Sequence, residues 1–497
     1  MNSIDTFSGP YDFLVIGGGI NGAAIANVAS RQGMKVALVE KGDFASGTSS
    51  KSSKLIHGGL RYLENFEFGL VREALHERLI QLNAAPHLVK PLSFLIPVYR
   101  EDPRSLWMMK AGVWLYDALS GRYRVGRHQA LSAEDILSRI PGIKREGLIG
   151  GVEYFDAQTD DARLCLENVL AARAAGAHAA NYTEVTGFVK ESGRAVGVKA
   201  RDVLQNRNFE IRAGKIVCAV GPWTPGVWGM DSPGGGQKVR TTKGAHIICR
   251  RKVSDSALFV QTRDNGRIFF IIPWMGRSLI GTTDTDYHGD PDQVAVAEDD
   301  IEYLLKETNR LFPETPFGRT DVVGSFAGLR PLAYRAGAPS RVSRRHAFEE
   351  SPSGIVFVTG GKYTTYRRIA LACVALVAGR RTGPDSDDYA VYGGGKITES
   401  PLEAARKYGI DRETIEHVMG KYGTRYAAVL DLTREAPELK NRICSCHEHI
   451  GAQVLYSIRV EMARSPKDIL FRRLGVGYDG CGEIEKYRQV IDQYLSS

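Results

Sequence analysis

Hydrophobic positions change period twice within the first forty residues. YDFLVI at 11–16 is a short apolar run, GAAIANVASRQGM at 22–34 spaces small and apolar residues at helical intervals, and MKVALVE at 34–40 is again a run. The pattern predicts strand, helix and strand, a βαβ unit. A mixed helical stretch follows to about residue 125, and strand–helix alternation continues to IVCAVG at 216–221. Between about 240 and 290, AHIIC, ALFVQT, RIFFIIPW and SLIGTTD read as strands separated by turn signals such as Asp264-Asn265-Gly266, which predicts an antiparallel second sheet. GIVFVTGGKYTTYRRIA at 354–370 gives one more strand, a Gly-Gly turn and a helix.

RTGPDSDDYAVYGGGK reads as a linker, and LEAARKYG, RETIEHVMGKYG and VLYSIRVEMARSP as helices beyond it. The expected division is therefore a nucleotide-binding domain from 1–80, 151–225 and 351–380, and a mainly helical substrate-side segment at 81–150. An antiparallel substrate domain at 226–350, a linker at 381–396 and a helical C-terminal domain at 397–497 complete it.

Gly17, Gly19 and Gly22 have the G-x-G-x-x-G spacing between the first strand and the helix, and Glu40 ends the second strand. The glycines serve a tight turn, close approach of backbone to a pyrophosphate and close helix–strand packing, and the acid can accept from ribose hydroxyls. A dinucleotide is the ligand this order of parts predicts. GDFASGTSSKSS at 42–53 is then a loop at the carboxyl ends of the strands, where ligands bind in such folds.

Composition narrows the partners only loosely. Apolar residues make up 43% and charged residues 25% of 497, an ordinary globular profile. The net charge of +8 suits phosphorylated substrates or an anionic surface, and without a basic run interleaved with aromatics nucleic acid is not expected. Seven cysteines, mostly scattered, suggest a reducing compartment. IALACVALVAG at 369–379 is too short to span a membrane, and a motif starting at residue 11 leaves no room for a secretory signal.

The first βαβ unit does not separate NAD from FAD. A strand-Gly-Gly-helix unit some 340 residues later suits a flavin held at both ends, with a helix N-terminus facing the pyrimidine edge. IGGGINGA, TSSKSSKLIHGGLRYLENFEFGLVREAL, YFDAQTDDARL, AVGPW, IPWMGRSLIGTTDTDY, GLRPL and GGKYTTYR together resemble the FAD-dependent, respiratory glycerol-3-phosphate dehydrogenases. The match is collinear over about 11–375 and continues in VLYSIRVEMARSPKDILFRRLGVG.

The resemblance implies an α/β fold of the glycine oxidase and D-amino-acid oxidase type: a Rossmann-like FAD domain, an antiparallel substrate domain and a helical C-terminal domain. It implies oxidation of sn-glycerol 3-phosphate to dihydroxyacetone phosphate, with hydride passing from C2 to flavin N5 and electrons onward to a membrane quinone. A cytoplasmic enzyme held peripherally at the membrane's inner face follows, with a homodimer by analogy. Two rivals stay open: a glycerol-3-phosphate oxidase using O2, whose extra inserted segment is not seen here, and an FAD-binding electron-transfer partner without a small substrate.

For the cofactor, the resemblance points to Gly17, Gly19, Asn21, Gly22, Glu40, Lys41, Thr48, Ser49, Ser50, Ser53, Lys54 and Leu55, then His57, Gly58, Gly59, Val185, Gly221 and Trp223, and finally Gly361, Lys362, Tyr363 and Thr364. A solvated serine-rich loop is the plain alternative for 49–53. For the substrate it points to Arg61, Tyr62, Thr283, Arg330 and Arg344, arginines suiting a phosphate because their planar fork donates in pairs. Arg341 and Arg345 are rivals to Arg344, and any of the three could be a surface charge.

His57 is the candidate base for the C2 hydroxyl, against a histidine that merely packs beside the flavin. Arg330 and Lys362 would stabilise the developing alkoxide or the reduced flavin. RSLWMMKAGVWLYDALSGRYR at 104–124 reads more readily as a buried core helix than as an interfacial one. Cys444, Cys446 and Cys481 with His447 or His449 invite a metal reading and resemble the iron–sulfur modules of anaerobic relatives, but a cluster would use four thiolates. The surrounding residues follow the dehydrogenase's own pattern, so no metal is expected.

Overall fold

β1 (Tyr11–Ile16), α1 (Ile20–Arg31) and β2 (Val36–Val39) form the expected βαβ unit in the computed structural model, which describes residues 7, 9–234, 239–262, 267–333, 346–379 and 389–496. β1 pairs in parallel with β2 on one side and with the second half of the Arg207–Cys218 strand on the other. Val356–Thr359 and His178–Ala180 extend this parallel sheet at its two sides. The period of two then sorts side chains by face. Phe13, Val15, Val36 and Leu38 pack with α1 and the helices Asp161–Ala174 and Tyr366–Ala378, while Leu14, Ile16, Ala37 and Val39 pack with Val185, Val198 and Ile211. Continuous burial on both faces is what a parallel sheet requires.

Among the described residues the substrate sheet has ten strands and is almost wholly antiparallel; its longest pairing joins Val239–Cys249 to Val322–Ala333. AHIIC, ALFVQ, IFFIIPW and SLIG all lie in its strands, whereas the Asp264-Asn265-Gly266 turn lies outside the described residues.

The segment 81–150 departs from its mainly helical reading, because Lys90–Tyr99 is a ten-residue strand inside this sheet. Pro91 and Pro97 oppose a helix there, and Leu92, Phe94, Ile96 and Val98 face one core cluster while Leu95 and Tyr99 face another. The Leu106–Ser120 helix also departs from expectation. Met109, Val113 and Tyr116 are buried, but Trp107 is 71% and Trp114 62% exposed, so it is a surface helix with an apolar outer face.

Of the linker 381–396, residues 381–388 lie outside the described residues. Tyr389 and Val391 join the nucleotide-domain core, and Asn27 donates to the Tyr389 hydroxyl at 3.2 Å, so this part packs instead of spanning freely. Helices Pro401–Tyr408, Arg412–Tyr422, Gly451–Arg459 and Ile484–Leu495 build the C-terminal domain. Ser400 and Asp411 accept from the Glu403 and Thr414 amides at 3.3 and 3.0 Å, caps each contributing about 1 kcal/mol.

Buried ion pairs join this domain to the nucleotide loops. Asp43, just past β2, accepts from Arg472 Nε at 2.6 Å and from both Arg473 terminal nitrogens at 2.7 and 2.9 Å. Arg163 pairs with Glu461 at 2.6 Å nearby. Burial alone would raise the Asp43 pKa, but the Arg473 and Arg472 guanidiniums hold it below the usual carboxylate range.

Candidate active site

A cleft of ≈ 870 Å³ runs from the carboxyl ends of β1 and β2 to the substrate sheet. At its first end the backbone turns tightly at Gly17, φ +106°, where a Cβ would lie 2.6 Å from the Ala219 carbonyl oxygen. A Cβ at Gly22 would lie 1.9 Å from Gly17 O, so α1 packs against the turn only because this residue is glycine. Gly19 precedes α1 without a side-chain cap and the first turn carries no acid, so the positive helix end faces the cleft. Ser49 Oγ takes the Ile20 N–H at 2.9 Å.

Glu40 lines the same end. Its two oxygens accept from the Gly18 and Gly42 amides at 2.7 and 2.8 Å, and burial raises its pKa despite those bonds. Lys41 lies over the Trp223 ring at 4.5 Å, and both hold Asp292 at the rim. Asn21, Thr48, Ser53, Leu55, Val185, Gly221, Tyr363 and Thr364 also line the cleft. Side-chain-free turns, an uncapped helix end and an acid at the strand terminus fit the adenosine and pyrophosphate of a dinucleotide.

The far end lies where Leu55–Ile56 enters the substrate sheet and a single helical turn, Leu60–Leu63, follows Gly59 at φ +87°. Arg61, Tyr62, His57, Arg330 and Lys362 line the cleft. Lys362 donates to the His57 carbonyl at 2.6 Å and lies 4.9 Å from the Tyr62 ring centre. The His57 amide donates to Thr364 Oγ1 at 3.1 Å. Arg330, on the Val322–Ala333 strand, donates to Asp284 Oδ1 at 3.1 Å and to Thr282 Oγ1 at 2.8 Å. A Cβ at Gly244 on the neighbouring strand would lie 2.4 Å from its guanidinium, so glycine makes the room it occupies. A Cβ at Gly361 would likewise lie 2.7 Å from Ile369.

Five residues expected at the site stand behind its wall. Lys54, at φ +59°, turns inward to Asp161 at 2.5 Å and the Ser50 carbonyl at 2.8 Å. Ser50 itself is buried and does not line the cleft, and Gly22 is the packing position described above. Gly58 does not line it either: its amide donates to Asp156 at 3.2 Å, and a Cβ would lie 2.3 Å from the Tyr116 hydroxyl. Thr283 Oγ1 accepts from the Ala245 amide at 2.9 Å and donates to Asp300 at 3.2 Å, so it shapes the Arg330 wall from behind. Arg344, with Arg341 and Arg345, lies outside the described residues.

His246 lines the cleft and was not singled out by the sequence. It is 2% exposed, its Nε2 lies 2.9 Å from Ser53 Oγ, and its ring stacks on Phe326 at 4.9 Å. Burial, with Arg330 and Lys54 nearby, holds its imidazole well below the usual histidine range, so it is neutral at pH 7. The only sequence signal was one polar residue at an inward position of an otherwise apolar strand end, AHIIC.

Fold and cleft together define a flavin-dependent oxidoreductase. Residues 12–367 match the family model of FAD dependent oxidoreductases, and residues 385–495 match the C-terminal domain of alpha-glycerophosphate oxidase. A glycerol-3-phosphate dehydrogenase of Synechocystis sp. is 40% identical over 97% of this chain and 96% of its own length. The aerobic glycerol-3-phosphate dehydrogenase of Staphylococcus aureus is 35% identical over 97% and 89%. The crystal structure of the Bacillus halodurans glycerol-3-phosphate dehydrogenase complexed with FAD superposes with a TM-score of 0.82 at 29% identity, covering 99% of this chain and 91% of that one. Glycine oxidase from Geobacillus kaustophilus shares the fold at a TM-score of 0.58 and 21% identity, over 79% of this chain and 100% of that one. The chain belongs to the FAD-dependent glycerol-3-phosphate dehydrogenase family, and FAD is its cofactor.

Proposed function

We propose that this enzyme oxidises sn-glycerol 3-phosphate at C2 to dihydroxyacetone phosphate and delivers the electrons to a membrane quinone. The observation that carries the reading is that Arg61, Arg330 and Lys362 all line the one cleft onto which the glycine turns open. A dianionic phosphate needs such cations, and the planar forks of Arg61 and Arg330 suit its oxygens. Tyr62 and the apolar side chains Leu60, Phe259, Ile268 and Phe270 line the same cleft, which favours a small substrate and excludes bulk water.

Bound FAD supplies the acceptor for the C2 hydride. His57, half-buried at the cleft wall, takes the C2 hydroxyl proton in this reading. Lys362 is held against the His57 carbonyl, so the cation that would steady the developing alkoxide is fixed to the backbone of the base. Neutral His246 orients Ser53 and adds no positive charge of its own beside Arg330.

The quinone part is supported by the surface. Trp107, Met108 and Trp114 on the Leu106–Ser120 helix are exposed, and so is Phe66 at 78%. Arg104 pairs with Glu64 at 2.5 Å, joining the helix start to the turn that carries Phe66. An apolar, aromatic surface of this kind suits the lipid–water boundary where a quinone is reached. No helix among the described residues is long and apolar enough to cross a membrane, so contact would be peripheral.

The test is anaerobic titration of the purified protein with sn-glycerol 3-phosphate while flavin absorbance is followed. Bleaching, then reoxidation faster by a soluble quinone than by air, is expected. A flavin that stays oxidised refutes the substrate, and faster reoxidation by O2 with stoichiometric peroxide refutes the quinone.

A further inference from the structure

Outside the cleft lining, the C-terminal domain brings together sulfur and nitrogen donors that the proposed reaction does not use. Cys444 Sγ, a His447 ring nitrogen and Cys481 Sγ all lie within 4.8 Å of one another. Cys444 also lies within the same distance of Cys446 Sγ and a Glu483 oxygen. We propose that Cys444, Cys446, His447 and Cys481 hold one zinc ion in a tetrahedral site.

The donor set selects the metal. Three thiolates and one imidazole suit zinc, whereas calcium and magnesium take oxygen ligands and common iron–sulfur clusters take four thiolates. Ligands at roughly 2.0–2.3 Å from zinc sit under 4 Å apart, so Cys444, His447 and Cys481 need only a small contraction, and the exposed Cys446 closes onto them from the Cys444 side.

Its surroundings already orient the ligands. His447 Nε2 lies 2.5 Å from the buried Asp479 carboxylate, and its Nδ1 lies 3.4 Å from Cys444 Sγ, so the ring is held with one nitrogen on the carboxylate and the other at the sulfur. A carboxylate behind a histidine is the usual support of a metal-bound imidazole. Asp479 is itself fixed by the Cys481 amide at 3.0 Å. Glu483 is occupied elsewhere, accepting from the Ser445 amide at 2.9 Å and pairing with Lys486 at 3.0 Å, so Cys446 is the better fourth ligand. Cys446 is exposed and gives an ion its route in.

The ion would staple the 444–447 loop to the 479–481 turn. That turn meets the substrate sheet: the Asp479 carbonyl accepts from Arg277 Nε at 3.2 Å, and Tyr478 packs edge-on against Phe326, the ring that stacks on His246. Zinc here would therefore be structural, supporting one wall of the cleft from outside.

The experiment is metal analysis of the purified full-length holoenzyme after dialysis against metal-free buffer. One zinc per chain is expected, released to a chromogenic chelator on titration with a mercurial thiol reagent. Asp479→Asn, which keeps all four ligands, should weaken zinc retention about 10–100-fold. Cys481→Ser should lose the metal. Background zinc in the wild-type protein overturns the proposal even if neither variant folds. So does iron with acid-labile sulfide, a disulfide between Cys444 and Cys481 in alkylated peptides, or zinc retained by a soluble Cys481→Ser protein.

Discussion

Asp43→Asn offers a direct test of how the C-terminal domain is held to the flavin loops. The substitution keeps volume but removes the charge facing Arg472 and Arg473, all three side chains being 8% exposed or less. Arg472 retains Asp468 at 2.5 Å, and Arg473 retains the Glu461 carbonyl at 2.8 Å with its carboxylate, shared with Arg163, at 3.8 Å, so the two guanidiniums keep partial compensation. Breaking a buried pair costs about 3–5 kcal/mol, and this residual compensation places the effect near ~3 kcal/mol.

A chain of several domains has no single unfolding free energy, so local opening is the quantity to read. Amide hydrogen exchange over 469–474 should quicken roughly 150-fold, the rate equivalent of ~3 kcal/mol. Exchange within about threefold of wild type, below ~1 kcal/mol, would refute the view that this cluster clamps the domain. The sign with pH follows: the folded pKa of Asp43 lies below the ordinary ~3.8, so its stabilisation is complete above that value and disappears as pH falls through the folded one.

Arg330→Ala should lower kcat/KM for sn-glycerol 3-phosphate about 10–150-fold, the rate equivalent of the 1.5–3 kcal/mol of a charge-assisted contact, with FAD content unchanged; an unaltered value would remove it from the pocket. Gly22→Ala should yield protein depleted of FAD, read as the flavin-to-protein absorbance ratio, because its Cβ meets Gly17 O at 1.9 Å. Since His246 titrates below the unfolded value of ~6.5, local stability should fall by up to ~1.4 kcal/mol per pH unit below that value, and His246→Gln should remove that share, read as amide-exchange protection of the 239–249 strand between about pH 7 and 5. Trp107→Ser with Trp114→Ser should reduce sedimentation with anionic vesicles while activity with a soluble acceptor stays intact; equal sedimentation would exclude this surface from lipid contact.

Local features were readable in advance and long-range ones were not. Strand, glycine turn, helix and Glu40 are neighbours in sequence, so their spacing alone predicted the first end of the cleft. Lys54 and Thr283 looked equally suited to the site, but the left-handed backbone at Lys54 points its amine at Asp161, and Thr283 is engaged by Asp300. Such orientations depend on partners over a hundred positions away in the first case and on sheet packing in the second. His246 escaped notice for the same reason: its meeting with Ser53 joins a strand of the substrate sheet to a loop 193 positions away. The Leu106–Ser120 helix was misjudged because its apolar residues lie on both sides, and composition does not reveal which side meets the core.

The parallel sheet carries a consequence for biosynthesis. β1 leaves the ribosome well before its neighbour Arg207–Cys218, and Val356–Thr359, with the Gly360–Lys362 turn beyond it, arrives later still. At ~5–20 residues per second, on the order of tens of seconds separate the pyrophosphate turn from the segment that meets the ring end. Until Arg207–Cys218 arrives, one edge of β1 is an unpaired, mostly apolar strand, the kind of surface that recruits chaperones or aggregates. The flavin therefore joins a nearly finished chain, and vitamin supply during expression should govern how much of the protein survives, beyond how much of it is active.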